Sequence, residues 1–302
     1  MSMFSEEKAR AASDELSQRF QVYRTSNLTS VTPDEFASHI RARIGHVDGE
    51  SEGYAANEIE QQRDLSVKFH WGHDHDFGGF RLRGRMADRH IKMLADMVGC
   101  FPIELGSFSG KDVFDIGCWT GGTSLLLAAL GSRVYAIEEV GKYADMATYL
   151  ARAFGVDDRL TVTRGSLYAC NEETFYDRFD IVHFPGVLYH LSDPLIALRI
   201  LFNSLKAGGI ILVETAGIDD EEPLCRFEGS RIHLGGSKDR LDRTGWNWFL
   251  PSRSALERMM REAGFEEVST VLREGSSRIY GYGIKLSQVS ICRAGLSVPD
   301  IR

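Results

Sequence analysis

From Asp112 onward the chain alternates short apolar runs with stretches of helical period. Apolar strands are predicted at Asp112–Ile116, Arg133–Ile137, Leu160–Thr163, Asp180–Phe184 and Gly209–Glu214. Between them the spacing predicts helices at Gly122–Leu130, Lys142–Phe154 and Pro194–Leu205. Strands buried on both faces and separated by helices imply right-handed crossovers, so the expected fold is α/β with a doubly wound parallel sheet. A helix at Arg253–Ala263 then leads to strand-like runs at Glu267–Arg273 and Ile279–Cys292, turned at Gly275, Ser276 and Ser277, which predicts a closing antiparallel hairpin.

Upstream the pattern is different. Polar helices are predicted at Ser5–Tyr23, after the Thr32 cap with Pro33 in the first turn, and around Asn57–Val67, followed by a loop rich in His, Gly and aromatics from Phe69 to Gly84 and a helix at Met86–Met97. Residues 1–84 therefore read as a helical cap with its His-rich loop, and residues 85–302 as the main domain. Periodicity fails between Thr215 and Leu250, which marks an insertion at 215–250. Apolar positions in the arm (Leu16, Phe20, Val22, Phe36, Ile40) exceed what a polar tail needs and suggest a homo-oligomer.

Composition narrows the function classes. The 302 residues carry 35 Lys plus Arg against 43 Asp plus Glu, a net charge of −8, so nucleic acid is disfavoured as a partner and a small soluble one is expected. The five cysteines are scattered, without a C-x-x-C pair, which fits a reducing cytoplasm. No apolar run follows Met1–Arg10 as in a targeting segment, and none reaches the roughly 20 residues of a membrane span.

The first strand ends in Asp115-Ile116-Gly117-Cys118-Trp119-Thr120-Gly121-Gly122, and a helix begins at once. Trp119 stands where a dinucleotide fold needs its second glycine for close approach to a pyrophosphate, which argues against NAD or FAD. A nucleoside without phosphates tolerates that side chain. Glu138, closing the next strand, has the spacing of an acid that meets ribose hydroxyls.

These residues resemble the class I S-adenosylmethionine-dependent methyltransferases, whose first motif is an acid followed by x-Gly-x-x-x-Gly. The resemblance covers about Asp112–Cys292 and implies a Rossmann-like sheet with S-adenosylmethionine as cofactor. It assigns Asp115, Gly117, Trp119 and Gly121 to the donor turn and Glu138 to the ribose. Ser166 and Leu167 take the adenine edge, although Ser166 stands where the family usually has an acid, and Phe184 belongs to the fourth motif, Asp180–Phe184. Within the class, Gly186–Pro194, the Gly208-Gly209 turn with Glu214 after it, and Trp248–Ser252 before Ala263-Gly264-Phe265 are similar to the tRNA wobble-uridine carboxymethyltransferases, which use a carboxylated donor. The basic stretch of those enzymes is reduced here to Arg85–His90 without tryptophan, so ordinary S-adenosylmethionine is the expected donor. The chain as a whole also resembles bacterial methionine S-methyltransferases of dimethylsulfoniopropionate synthesis.

The remaining candidates concern the acceptor. His70, His73 and His75 with Asp74 and Asp76 form a dense cluster; nothing completes a four-ligand site, so no metal is expected. His73, Asp74, Tyr189 and His190 are the candidate catalytic groups, each readable also as a structural residue, because a hydroxyl or amine acceptor needs a base and a thioether does not. Trp71, His75, Trp246 and Trp248 are the candidate acceptor contacts, with ordinary core packing as the alternative. The resulting expectation is methyl transfer to a small molecule, best the thioether of methionine, with tRNA wobble-uridine methyl or carboxymethyl transfer and O- or N-methylation of a secondary metabolite as alternatives.

Overall fold

The computed structural model describes residues 4–45, 69–232 and 246–286. The helix expected at Asn57–Val67 and the strand end expected at Cys292 lie outside them. The arm contributes α1 (Glu6–Phe20), started by a Ser5 side chain that accepts from the Lys8 amide, and α2 (Pro33–Arg43), started by a Thr32–Glu35 capping box with proline in its first turn. The His-rich loop forms a short hairpin, β1 (His75–Asp76) and β2 (Arg81–Leu82), and leads to α3 (Arg89–Cys100). The main domain follows as β3 (Asp112–Ile116), α4 (Gly122–Ala129), β4 (Arg133–Glu138), α5 (Gly141–Ala153), β5 (Leu160–Arg164), β6 (Phe179–Pro185), α6 (Pro194–Ser204) and β7 (Leu205–Ala216). A second hairpin, β8 (Cys225–Ile232) and β9 (Trp246–Pro251), precedes α7 (Arg253–Glu262), β10 (Glu266–Leu272) and β11 (Arg278–Ile284).

Seven strands form the central sheet in the order β10-β11-β7-β6-β3-β4-β5. β11 runs antiparallel to both of its neighbours and the rest are parallel, which is the class I methyltransferase arrangement expected from sequence. The chain winds outward in opposite directions from β3, leaving a switch point between β3 and β6, where open sheets of this kind bind ligands at the carboxyl ends of their strands. Strand pleating sorts the side chains. Phe114 and Ile116 join the apolar layer formed with α6 and α7, while Val113 packs in the layer beneath α3, α4 and the arm, and Asp115 alternates onto that second face.

Three elements differ from the sequence reading. The insertion holds the β8–β9 hairpin, whose bulge between Phe227 and Arg231 hides the strand period. β7 starts at Leu205 rather than Gly209, pairing across an irregularity opposite Phe179–Ile181. β11 ends at Ile284, after which the buried Lys285 turns inward and donates to Asp177 Oδ1 and the Leu205 carbonyl, both at 2.7 Å.

The arm is not a polar tail. Leu16, Phe20, Phe36 and Ile40 are buried in the same core as the sheet, and the Tyr23 hydroxyl donates to the Leu125 carbonyl of α4 at 2.5 Å. Of the apolar positions that suggested an oligomer, Val22 alone is exposed, at 49%. The surplus apolar surface is used within the chain, so it no longer argues for self-association.

Three buried histidines join this arm to the main domain. His75 stacks on Phe77 at 3.7 Å, and His73 lies 4.5 Å from His90 in α3. Burial pushes His73 down to about 4, His75 to about 3, and His90 well below its ordinary value. Unfolded, each ring regains a value near 6.5, so stability is complete above that pH and is lost as pH falls from 6.5 toward 4. At pH 5 the loss is roughly 2 kcal/mol per ring, and the melting temperature should drop by on the order of 10 °C relative to pH 7.5. His75→Phe, which keeps the stack on Phe77, should flatten that dependence; a wild-type melting curve unchanged between these pH values would show that the rings are solvated.

Candidate active site

The turn after β3 bends left-handed at three positions, Gly117 (φ +70°), Trp119 (φ +49°) and Gly121 (φ +83°). A Cβ at Gly117 would lie 2.5 Å from Val187 Cγ2, and one at Gly121 would lie 3.0 Å from the Ala147 methyl, so both glycines are needed for backbone shape and for close packing. Trp119 takes the same strained region with a full side chain. Its amide donates to Glu138 Oε2 at 2.8 Å, and the Val140 amide donates to Oε1 at 2.9 Å. Glu138 thus pins the turn to the end of β4 and keeps acceptor capacity on both oxygens, which suits the adjacent hydroxyls of a ribose. Burial raises its carboxyl to about 7.

Asp115 is buried and held from two sides. Ser124 Oγ donates to its Oδ2 at 2.5 Å, and His183 Nδ1 lies 2.8 Å from its Oδ1. At the adenine edge Leu167 is buried, and Glu139 bonds the Ser166 side chain, so an acid does stand beside Ser166, supplied by the neighbouring strand end. Phe184 is fully buried in the apolar layer on the opposite sheet face, so its expected cofactor contact is not formed by its side chain.

The His-rich loop divides its candidates. The Gly72 amide donates to Thr120 Oγ1 at 3.1 Å, which brings the His73 ring to 5.7 Å from Trp119 and against Gly122; His73 Nδ1 is buried without a hydrogen-bond partner. Asp74 is a loop staple, its amide bonded to the Ala87 carbonyl at 2.8 Å and its Oδ1 accepting from the Gly84 amide at 2.7 Å. His75 points away into the arm, with Nε2 bonded to the Tyr23 carbonyl at 3.2 Å. Trp71 is buried near Phe69 and Phe77 and edges a cleft. Tyr189 and His190 occupy a single turn after β6 with their rings 4.0 Å apart. Trp248 is half-buried 6.4 Å from Phe227, and the side chain of Trp246 is outside the described residues.

Three groups escaped the sequence reading as site residues. Glu214, fully buried near the end of β7, accepts from Arg89 at 2.8 Å through Oε1, and Arg278 Nη1 stands 3.4 Å from the same oxygen; its Oε2 has no partner. The Arg278 guanidinium also lies 5.4 Å over the Tyr189 ring. Strand-end position was a signal for Glu214 and the short basic stretch one for Arg89, whereas Arg278 lies in an ordinary hairpin strand and had none. His183, within the fourth motif, is likewise buried with Nε2 unpartnered. Among the described residues no group of three His, Cys, Asp or Glu side chains is placed to hold a metal ion, and no helix is long and apolar enough to cross a membrane.

The family described as "Methyltransferase domain" matches residues 83–270, well over half of the chain. The chain belongs to this methyltransferase family. It is similar to the tRNA U34 carboxymethyltransferases of Desulfotalea psychrophila, at 31% identity over 168 residues covering 55% of this chain and 48% of the relative, and of Desulforapulum autotrophicum, at 28% over 169 residues covering 56% and 45%. The chain therefore spans about half the length of the curated relatives it matches. The N-terminal domain of EvdMO1, solved in the presence of SAH and D-fucose, superposes with a TM-score of 0.51 at 18% identity, covering 78% of this chain and all of that one, which is a likeness of fold. Residues 83–270 are thus a methyltransferase domain, for which S-adenosylmethionine is the cofactor the glycine turn leads one to expect.

The residues present fit that cofactor. Left-handed glycines bring backbone close to a ligand, Glu138 offers two acceptors, and the unpartnered nitrogens of His73 and His183 and the Glu214 oxygen are buried polar atoms of the kind a ligand satisfies. When bound, the cofactor supplies a carbon attached to a sulfonium, which a nucleophile takes by in-line displacement. Ribose hydroxyls donate to the ionised form of Glu138, so donor affinity should rise with pH through about 7, and binding near that pH should release a proton. Glu138→Ala should weaken donor binding by roughly 1.5–3 kcal/mol in calorimetry; an unchanged, pH-independent affinity would remove Glu138 from the ribose. Gly117→Ala should abolish donor binding through both φ and the Val187 clash, and adding Val187→Ala should restore only part of it.

Proposed function

We propose that the protein modifies the wobble uridine of tRNA, transferring a methyl-level carbon from S-adenosylmethionine, with the carboxylated form of that donor as its best fit. The observation that carries this reading is the charge balance around Glu214: two guanidinium groups, Arg89 and Arg278, share one carboxylate at the carboxyl edge of the sheet. A plain methyl on the sulfonium brings no negative charge of its own to that edge. A carboxylate on the transferred group would bind Arg278 with a charge-assisted hydrogen bond while Tyr189 packs beneath it. The tRNA U34 carboxymethyltransferases to which the chain is similar support the same choice.

In this reading Asp115, Glu138 and the glycine turn hold the donor, and residues 69–84 roof it. Tyr189 and His190 stand beside the reacting carbon, where His190 takes the proton that a uridine oxygen or nitrogen must lose. His73 stays neutral above about pH 4 and serves as a hydrogen-bonding group rather than a cation. The chain's main task is alignment, and positioning of this kind lowers barriers by on the order of 7–11 kcal/mol.

A second reading rests on the same cluster. An unpartnered Glu214 oxygen beside Arg278 complements an α-amino acid zwitterion, ammonium to Glu214 and carboxylate to arginine, which supports methionine as the acceptor through its thioether. The test incubates the purified chain with S-adenosylmethionine or its carboxylated form, and with bulk tRNA or free methionine, followed by mass spectrometry. Modified uridine at position 34 is expected, with about a tenfold or greater loss for Arg278→Ala that is larger with the carboxylated donor. S-methylmethionine formed while tRNA is untouched would overturn the proposal in favour of the second reading.

A further inference from the structure

The chain is acidic overall, yet one face of its N-terminal part is strongly basic. Arg41 and Arg43 lie in the last turn of α2, Arg83 and Arg85 follow β2, and all four are exposed. Packing brings the two groups together: the Arg41 guanidinium lies 4.5 Å over the ring of Phe80, and the Gly45 amide donates to the Phe69 carbonyl at 3.0 Å. Carboxylates nearby are already engaged. Asp76 accepts from the Gly78 amide at 3.0 Å and pairs with Arg81 at 2.8 Å, Asp74 accepts from Gly84, and Asp88 pairs with Lys92 at 3.1 Å. Among the described residues, none of the four arginines has a carboxylate partner.

Between them lies a cleft of about 360 Å³, lined by Ile44, His70, Trp71, Arg83, Gly84 and Arg85. It adjoins the donor turn, since the charge of Arg85 bears on Tyr143, whose ring meets Trp119 edge-on at 6.0 Å. Ile44, His70 and Trp71 precede residues 83–270 and Arg83, Gly84 and Arg85 begin them, so the cleft is built half by the part of the chain upstream of the family's domain.

We propose that this cleft is a phosphate-docking site, where the backbone of an acceptor RNA is held while its base reaches the carboxyl edge of the sheet. Several exposed guanidinium groups spread over two elements match a row of phosphates better than a single carboxylate, and such contacts position a nucleic acid without reading its sequence. The inference rests on the tRNA reading above.

Binding of fluorescently labelled bulk tRNA to the full chain, measured by anisotropy across a salt series, tests it. Each arginine on a phosphate contributes about 0.7–0.9 to the slope of log affinity against log salt. Arg83→Ala with Arg85→Ala should therefore lower that slope by roughly 1.5 and weaken binding about tenfold at moderate salt, as should Arg41→Ala with Arg43→Ala. Donor affinity of the Arg41→Ala, Arg43→Ala variant, which lies outside the donor's surroundings, should stay within twofold by calorimetry. Variants that bind and modify tRNA as the wild type does would overturn the docking site and leave the proposed function standing. If the wild type modifies no tRNA, tripolyphosphate becomes the probe: calorimetric binding lost in the Arg83/Arg85 variant would keep a phosphate site for a smaller acceptor, and no binding would overturn it.

Discussion

The carboxylate of Glu138 does two things that oppose one another, and the site is arranged around that conflict. It closes β4 and ties the left-handed turn at Trp119 to the Val140 amide after that strand, adding one side-chain tether to a turn whose backbone already bonds Ile137. It is also buried enough that burial raises its carboxyl to about 7, so the ionised form that ribose hydroxyls require is not strongly favoured before the ligand arrives. Donor binding and the order of the turn are therefore coupled through one group. Asp115 is engaged in the same way, its two oxygens taken by Ser124 and His183, which leaves the histidine's second nitrogen buried without a partner.

Three histidines close together in sequence or space have different fates because burial and packing differ, not because their chemistry does. His73 is drawn to the glycine turn by the Gly72–Thr120 bond, His75 enters the aromatic core of the arm, and His90 supports both from α3. Holding rings neutral in the core makes the joint between arm and domain sensitive to acid. The arm is thus part of the folded body: it shares the core of the sheet, packs against the His-rich loop and carries half of the basic cleft.

Charge is distributed in a way the net value conceals. An excess of eight negative charges coexists with an arginine pair around Glu214 and a set of exposed arginines beside the cleft at Trp71. Local fields of this kind, rather than total charge, decide which ligand approaches, since interactions beyond roughly 10 Å are screened at ordinary salt.

Much of the architecture was legible in the sequence because it is written in local periodicity. Strand–helix alternation identified the doubly wound sheet, and the glycines with their strand-end acid marked the left-handed turn after β3, since both depend on neighbours within about 25 residues. Boundaries failed where the period is broken, at the bulged hairpin of the insertion and at Lys285, which a strand pattern cannot distinguish from a residue leaving the ladder. The roles of individual side chains were decided only by tertiary structure. Phe184 is core because the pleat turns it to the other face, Asp74 is a staple because Gly84 comes back to meet it, and the arm's apolar residues are internal because α1 folds onto α3. Arg89, Glu214 and Arg278 lie up to 189 positions apart, and no pattern along a chain connects them; their meeting is a consequence of strand order, because β7 and β11 are neighbours and α3 covers the face on which Glu214 emerges.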